Sequence, residues 1–416
     1  MKFENFSSLQ KILLYGYGRE GQSSEQFLKS KFPHISLTIF EDKEGLPKLD
    51  FSSFDLILVS PGVPRKKITG VIPEKIMSQT ELFFENLPEE KRKRVIGITG
   101  TKGKSTTVKF CAEMLENAGK KGAIGGNYGV PLLDLYDDFL GDTLEWIVCE
   151  LSSYQLEHLK VSPHISIFLN FFPDHLDRHG TTENYFNAKK NLWSHQKSGD
   201  IFIVPEVSRT LIGKSPQNPI FAKPAPEEFF PKNSILRFLH FRQNLGAVVK
   251  LAELLQIPEE VLQKTAQKFQ GLPHRLEFVA KKNDIRFYDD SISTNPDSTL
   301  ASVNAFGEKL GSIILGGQDR NQKFDTLLAR LKELRVQIIV LQSEISDRIF
   351  RTAEKQNIEK IILAKDIPGA VYSATQKTLK RKICLLSPAA PSYDRFKNFQ
   401  EKGSVFQKEV KSSKAK

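Results

Sequence analysis

The run Gly100-Thr101-Lys102-Gly103-Lys104-Ser105-Thr106 puts two glycines, two lysines and three hydroxyls into seven residues. That set suits a phosphate. Consecutive backbone N–H groups form a nest for the terminal phosphates, Lys104 adds a point charge, and Ser105 or Thr106 offers an oxygen to Mg²⁺. The run follows an apolar stretch, 95–99, and precedes an amphipathic one, as a strand–loop–helix phosphate site requires. Ile98 stands where the longer phosphate-loop pattern has its first glycine, but the shorter G-T-x-G-K-S-T form keeps the chemistry. ATP is the expected nucleotide.

Glu150 closes the apolar stretch 146–150. A carboxylate at such a strand end suits the Mg²⁺ of a phosphate-loop enzyme, and its plainer role would be a charge ahead of a helix at 151–157. A further buried strand delivers Asn170, Asp174, His175, Asp177, Arg178 and His179 into one loop. Six polar residues after a strand in a nucleotide domain point to function. Glu150 and His175 are expected on neighbouring strand ends. An earlier glycine signal, Gly16, Gly18 and Gly21, has dinucleotide-site spacing, with Glu41 and Asp42 about 20 residues on. It predicts a turn that brings phosphates to backbone N–H groups at a helix start. Toward the C-terminus Arg275, Asp290, Arg320 and the run 386–403 each follow an apolar strand. In open α/β sheets that carboxyl edge is where ligands bind.

Strands alternate with helices throughout, which indicates parallel α/β sheets. Three domains are expected, each built on a mainly parallel sheet: 1–88 Rossmann-like, 89–270 like a phosphate-loop ATPase, and 271–416 Rossmann-like again. The polar stretch 86–94 reads as a linker, 215–233 as a Pro- and Asn-rich loop, and the last dozen residues as frayed.

With 416 residues, hydrophobic content of 39% and charged content of 26%, collagen, coiled coil and wholesale disorder are excluded. No apolar run approaches the roughly 18 residues of a membrane span, and the N-terminus lacks the layout of a signal peptide. Cys111, Cys149 and Cys384 lie far apart, without metal-ligand spacing, so a reducing cytoplasm is expected. The net charge of +11 is spread along the chain and suits anionic small molecules better than nucleic acid.

The motifs GTKGKSTT, ELSSYQLE, NFFPDHLDRHG, GLPHR, the DDS and TN of 289–295, and LSPAAPSYDRFKNF occur in the order and spacing of the Mur ligases. The resemblance spans essentially the whole chain, is most specific from residue 95 onward, and is greatest to the branch that joins glutamate to UDP-N-acetylmuramoyl-L-alanine. It implies three domains that hold the UDP-sugar, ATP and the amino acid in turn. It also implies an acyl phosphate made from ATP and attacked by the glutamate amine. Lys104, His175 and Lys189 take catalytic places in that comparison. Gly100, Thr101, Gly103, Lys104, Ser105, Thr106, Asn244, Arg275 and Asp290 take nucleotide-binding ones. Gly18, Asn127, Arg178, Thr294, Arg320, Ser392 and Phe399 correspond to substrate contacts. Ser105, Glu150, His175 and a carbamylated Lys189 correspond to the ligands of two Mg²⁺ ions. A monomer acting in the cytoplasm is expected.

Four departures from the family's pattern stand out. Gln243-Asn244 replaces a His-Asn pair, Ile292 stands where lysine is usual, Arg320 stands where lysine is common, and Arg19-Glu20 replaces an apolar–Thr pair. With Ile292 in place of a charge, D-glutamate is expected and L-glutamate is the alternative. A sister ligase, one extending folate included, is a second reading. An oxidoreductase built on Gly16, Gly18 and Gly21 would leave the phosphate loop, Glu150 and His175 unexplained. A nucleic-acid motor would need further motor motifs and a basic track.

Overall fold

Short apolar runs that are buried on both faces set the architecture, because a parallel strand covered on both sides needs no polar alternation. In the computed structural model, residues 1–42, 49–212, 218–232 and 234–412 are described. They form two compact units, 1–269 and 270–416.

The first unit holds two sheets. Strands β1 (Lys11–Tyr15), β2 (Ser36–Phe40), β3 (Leu56–Val59) and β4 (Ile76–Met77) lie in the order β2-β1-β3-β4, all parallel. Helix α1 (Arg19–Lys31) joins β1 to β2, and α2 (Gln79–Asn86) and α3 (Glu89–Arg92) follow β4. The second sheet contains β5 (Val95–Thr99), β6 (Gly122–Gly126), β7 (Trp146–Glu150), β8 (Ile165–Phe168), β9 (Ile201–Pro205) and β10 (Ile220–Ala222), in the order β10-β9-β8-β5-β7-β6. Its helices are α4 (Lys104–Asn117), α5 (Tyr136–Leu140), α6 (Ser153–Leu156), α7 (Leu176–His179), α8 (Thr182–Ser194), α9 (Arg209–Ile212), α10 (Leu239–Leu254) and α11 (Glu259–Lys268). One apolar cluster runs from Phe6, Leu14 and Phe83 of the first sheet to Leu133, Phe168 and Trp193 of the second, so the two sheets share a core.

The second unit is a single sheet, β11-β12-β16-β13-β14-β15. Its strands are β11 (Glu277–Lys282), β12 (Ile285–Asp289), β13 (Leu310–Leu315), β14 (Gln337–Leu341), β15 (Ile361–Ala364) and β16 (Ile383–Leu386). Only the edge strand β11 is antiparallel. The helices are α12 (Pro296–Phe306), α13 (Asp325–Glu333), α14 (Ser346–Lys355), α15 (Ile367–Lys377) and α16 (Phe399–Ser412).

Three sequence expectations need correction. The polar stretch at 86–94 is no loose linker: it contains α3, and Arg92 is buried there, donating to Asp200 at 2.8 and 2.9 Å. The last dozen residues are not frayed up to 412, because α16 turns Phe406 and Val410 into the core of the second unit; residues 413–416 lie outside the described residues. The 215–233 stretch, of which 218–232 are described, is tied down: β10 extends the sheet, and Ala225, Phe229 and Phe230 are buried.

Candidate active site

The phosphate loop leaves β5 at the middle of its sheet. Gly103 caps α4 with φ of 84°, a left-handed conformation that favours glycine, and a Cβ there would run into Asn244. The loop's shape is fixed from the next strand. Asn170, just past β8, accepts from the Lys102 N–H at 2.9 Å and donates to the Lys102 carbonyl at 2.8 Å and to Asn244 Oδ1 at 3.0 Å. Thr101 Oγ1 donates to the Phe172 carbonyl and shares a hydrogen bond with the Tyr185 hydroxyl at 3.3 Å. Lys104 Nζ donates to the carbonyls of Gly100 and Thr101, both at 3.1 Å, which holds its charge over the nest.

Glu150 ends β7 and is buried. Its Oε1 accepts from Asn127 Nδ2 at 2.6 Å, and its Oε2 is buried with no hydrogen-bond partner. A buried carboxylate oxygen without a donor is costly, and a hard divalent cation satisfies it. Lys189 lies on the buried stripe of α8 with Tyr185, Ala188, Leu192 and Trp193. Its Nζ donates to the Gly100 carbonyl at 3.0 Å and sits 4.6 Å from the centre of the Tyr185 ring. Burial and the nearby Lys104 charge push its ammonium well below the ordinary lysine value, while Asp174 and Glu150 oppose them. Lys104, Glu150 and Asp174 thus all bear on Lys189.

His175 heads α7 in a left-handed conformation, φ 53°, and its Nδ1 shares a 3.1 Å hydrogen bond with the Tyr154 hydroxyl. It does not come from a strand neighbouring that of Glu150: β5 lies between β7 and β8. The six polar loop residues part company here. Asn170 braces the phosphate loop, Asp174 pairs with Lys102 at 3.5 Å, and Asp177 is exposed. Arg178 donates to Glu157 at 2.9 Å, and buried His179 bonds Ser153 at 3.0 Å while stacking on Tyr154. Tyr154 and Tyr185 escaped the sequence reading. The signal for Tyr185 was its i,i+4 spacing to Lys189 on one helix face.

In the first sheet the order of the parallel strands switches sides between β1 and β3, and the Gly16–Gly21 turn follows the carboxyl end of β1. Gly16 has φ of 88°, and its carbonyl accepts from Ser60 Oγ at 2.7 Å. A Cβ at Gly21 would strike the Gly16 carbonyl, whereas Gly18 faces open space. Ser60 was also missed. A cleft lined by Ser60, Val63, Tyr154, Gln155 and Arg178 adjoins this turn. A separate cavity of about 490 Å³, lined by Met1, Glu81, His158 and His195 among others, contains none of the expected site residues.

In the second unit Asp290 follows β12 and is fully buried. It accepts from Ser302 at 2.6 Å, Ser387 at 2.8 Å and the Leu276 N–H at 3.3 Å, and burial raises its pKa to about 6. It therefore knits three segments together, with Arg275 beside one of them. Thr294 is half-buried and Arg320 is exposed, 5.9 Å from the Tyr393 ring. Ser392 is buried with no partner for its hydroxyl, and Phe399 opens α16. The three cysteines are free and buried, and burial raises each thiol, to about 12 for Cys111 and Cys384. None is an activated nucleophile.

Residues 98–221 match the Mur ligase middle domain, and residues 274–390 match the Mur ligase glutamate ligase domain. The UDP-N-acetylmuramoylalanine–D-glutamate ligase of Pelotomaculum thermopropionicum is 30% identical over 97% of this chain and 98% of its own. The enzyme of that name from Geobacillus kaustophilus is 32% identical over 85% of this chain and 82% of its own. Among solved structures, the MurF ligase of Thermotoga maritima in complex with ADP superposes with a TM-score of 0.58 at 16% identity, covering 99% of this chain and 97% of that one. The UDP-N-acetylmuramate–alanine ligase of the same organism gives 0.57 at 17%, covering 97% and 100%. These two share the fold.

Proposed function

The chain belongs to the Mur ligase family, and from that membership we propose how its residues divide the work of forming an amide. The reaction is the ATP-dependent addition of D-glutamate to UDP-N-acetylmuramoyl-L-alanine, a step in peptidoglycan precursor synthesis. A carboxylate is a poor acyl donor. Transfer of the ATP γ-phosphoryl group to the alanine carboxylate gives an acyl phosphate, which supplies a leaving group. The glutamate amine attacks its carbonyl, and the tetrahedral intermediate collapses to the amide and phosphate. Every reactant is anionic, so the site must supply positive charge where negative charge gathers.

The loop 100–106 receives the ATP phosphates, and Lys104 turns its ammonium from the loop carbonyls to the γ-phosphoryl oxygens. Asn244, packed on Gly103, and Arg275 are assigned to the nucleotide; Asp290 fixes the segment that carries Arg275. The donor set fits divalent metal. Ser105, Glu150, His175 and Lys189 as its carbamate would hold two Mg²⁺ ions, which when bound neutralise phosphate charge and polarise the transferred group. Burial and the Lys104 charge favour the free amine of Lys189, the form that adds to CO₂, and the product would replace a disfavoured buried cation with an anion. Tyr154 orients His175 through Nδ1. Asn127 holds Glu150 Oε1 and faces the UDP-sugar side, with Gly18 and Arg178. Thr294, Arg320, Ser392 and Phe399 take the amino acid, the guanidinium pairing with a glutamate carboxylate.

By the same reading 1–88 holds the UDP-sugar, 89–270 holds ATP and 271–416 holds glutamate. The enzyme acts as a cytoplasmic monomer, in keeping with its three free, buried cysteines. Among the described residues no helix is long and apolar enough to cross a membrane.

The observation that carries the assignment is the unpartnered Glu150 oxygen, whose carboxylate bears on buried Lys189, itself bonded to the phosphate-loop carbonyl of Gly100. The test is phosphate release from ATP with Glu150→Gln. Loss of turnover by at least a hundredfold with UDP-substrate binding retained is expected, and near-normal turnover in the folded variant rejects the metal assignment.

A further inference from the structure

The turn at the head of α1 carries a residue at odds with an anion site. Glu20 is the second residue of that helix, directly after the Gly16–Gly18 turn, where backbone N–H groups and the helix dipole favour a phosphate. A second negative charge there would repel a diphosphate at close range.

Glu20 is held from two neighbouring elements, one bonding its carboxyl group and the other its backbone carbonyl. Gln155 of α6 donates Nε2 to Glu20 Oε1 at 2.7 Å. The orientation of that amide is fixed, because its Oε1 accepts from the Ser152 N–H at 2.9 Å in a capping box. Gln79 of α2 donates to the Glu20 carbonyl at 3.0 Å. Glu20 Oε2 is buried and has no hydrogen-bond partner. Arg19, on the same helix, is the charged side chain that bears on it, and neighbouring α6 turns the neutral Gln155 toward it. Arg19 itself donates to the Gly129 carbonyl. Burial accordingly raises the Glu20 pKa to about 7.

Resting on the UDP-sugar reading above, we propose that Glu20 is the neutral acid in the loaded enzyme and that docking of the substrate diphosphate at the α1 N-terminus takes up one proton onto Oε2. The proton balance is simple. The free enzyme near neutral pH holds Glu20 partly ionised. The incoming diphosphate adds like charge a short way off, which favours the protonated form, and the proton comes from solvent. The diphosphate and the alanine carboxylate of the substrate titrate well below neutrality, so the uptake belongs to the protein. Gly18, which faces open space, leaves the approach to the helix end clear. Glu20 is thus a positioning residue that makes UDP-sugar affinity depend on pH.

The test is calorimetric titration of the full chain with UDP-N-acetylmuramoyl-L-alanine in two buffers of different ionisation enthalpy, from pH 6 to 9, for wild type and Glu20→Gln. Net proton uptake should rise toward one per substrate as pH passes above 7. The dissociation constant should weaken up to tenfold per pH unit there, and both effects should vanish in Glu20→Gln, which keeps a neutral donor. Binding without proton uptake by wild type overturns the inference and leaves the ligase reading standing. The same uptake in Glu20→Gln also overturns it, since another group then titrates. Should that variant not fold, the wild-type proton count still decides. No binding at any pH overturns the UDP-sugar reading together with the inference.

Discussion

Lys104 puts its ammonium among the phosphate-loop carbonyls of Gly100 and Thr101. Lys104→Ala leaves the backbone nest intact, because Asn170 and Thr101 hold the loop independently of it. Turnover should fall by about a thousandfold or more, the scale of removing a preorganised charge from phosphoryl transfer, with the thermal unfolding midpoint little changed. Steady-state phosphate release and a melting curve check both halves. Lys189→Ala should also inactivate, and added acetate or formate should restore part of the rate, because a free carboxylate can replace the carbamate oxygens. No rescue, with full activity of wild type in CO₂-depleted buffer, removes the carbamate. Asp290 makes a prediction about stability. Its folded pKa of about 6 lies above the ordinary carboxylate value, so the unfolded chain ionises first as pH rises. Stability is therefore lost between about pH 4 and 6, at up to about 1.4 kcal/mol per pH unit. Denaturant titrations should show a flatter pH dependence over that range in Asp290→Asn than in wild type.

At the scale of elements, the anchors are those that polarity alone hides. Arg92 reads in sequence as part of a polar linker, yet its guanidinium is buried against Asp200, which also bonds His164 at 2.6 Å. Arg92→Ala would strand a buried carboxylate and should cost about 3 kcal/mol or more in chemical denaturation. Helix α16 is the matching case in the second unit. Phe406 is fully buried, and Phe406→Ala should cost about 3–5 kcal/mol. These are also the elements the sequence concealed. Periodicity revealed β5, β7, β8 and β16 because they are short apolar runs. A charged one-turn helix such as α3 has no apolar stripe to see, and the lysine-rich end of the chain masks the spacing of Phe406 and Val410. The order of strands was hidden for another reason. Nothing local in the sequence says that β5 passes between β7 and β8, so the strands that lead to Glu150 and His175 read as neighbours when they are not.

Across the whole molecule, the motifs sit where parallel-sheet topology puts ligand sites, at the carboxyl ends of strands. The phosphate loop, Glu150 and Asn170 follow β5, β7 and β8; Gly16 and Ser60 follow β1 and β3; Asp290 and Ser392 follow β12 and β16. Lys104, Glu150 and Lys189 could be singled out as candidates from type and spacing or from family likeness. Tyr154 and Gln155, which bond His175 and Glu20, could not be, because each meets a partner distant in sequence. The central claim is that this chain joins D-glutamate to the UDP-linked alanyl sugar at the expense of ATP. Mass-spectrometric detection of the amide product, with D-glutamate, L-glutamate, glycine and a diamino acid supplied in parallel at equal concentration, tests it most directly. One glutamyl product, formed with D-glutamate and in step with phosphate release, is predicted; product from glycine or the diamino acid with none from D-glutamate would contradict it.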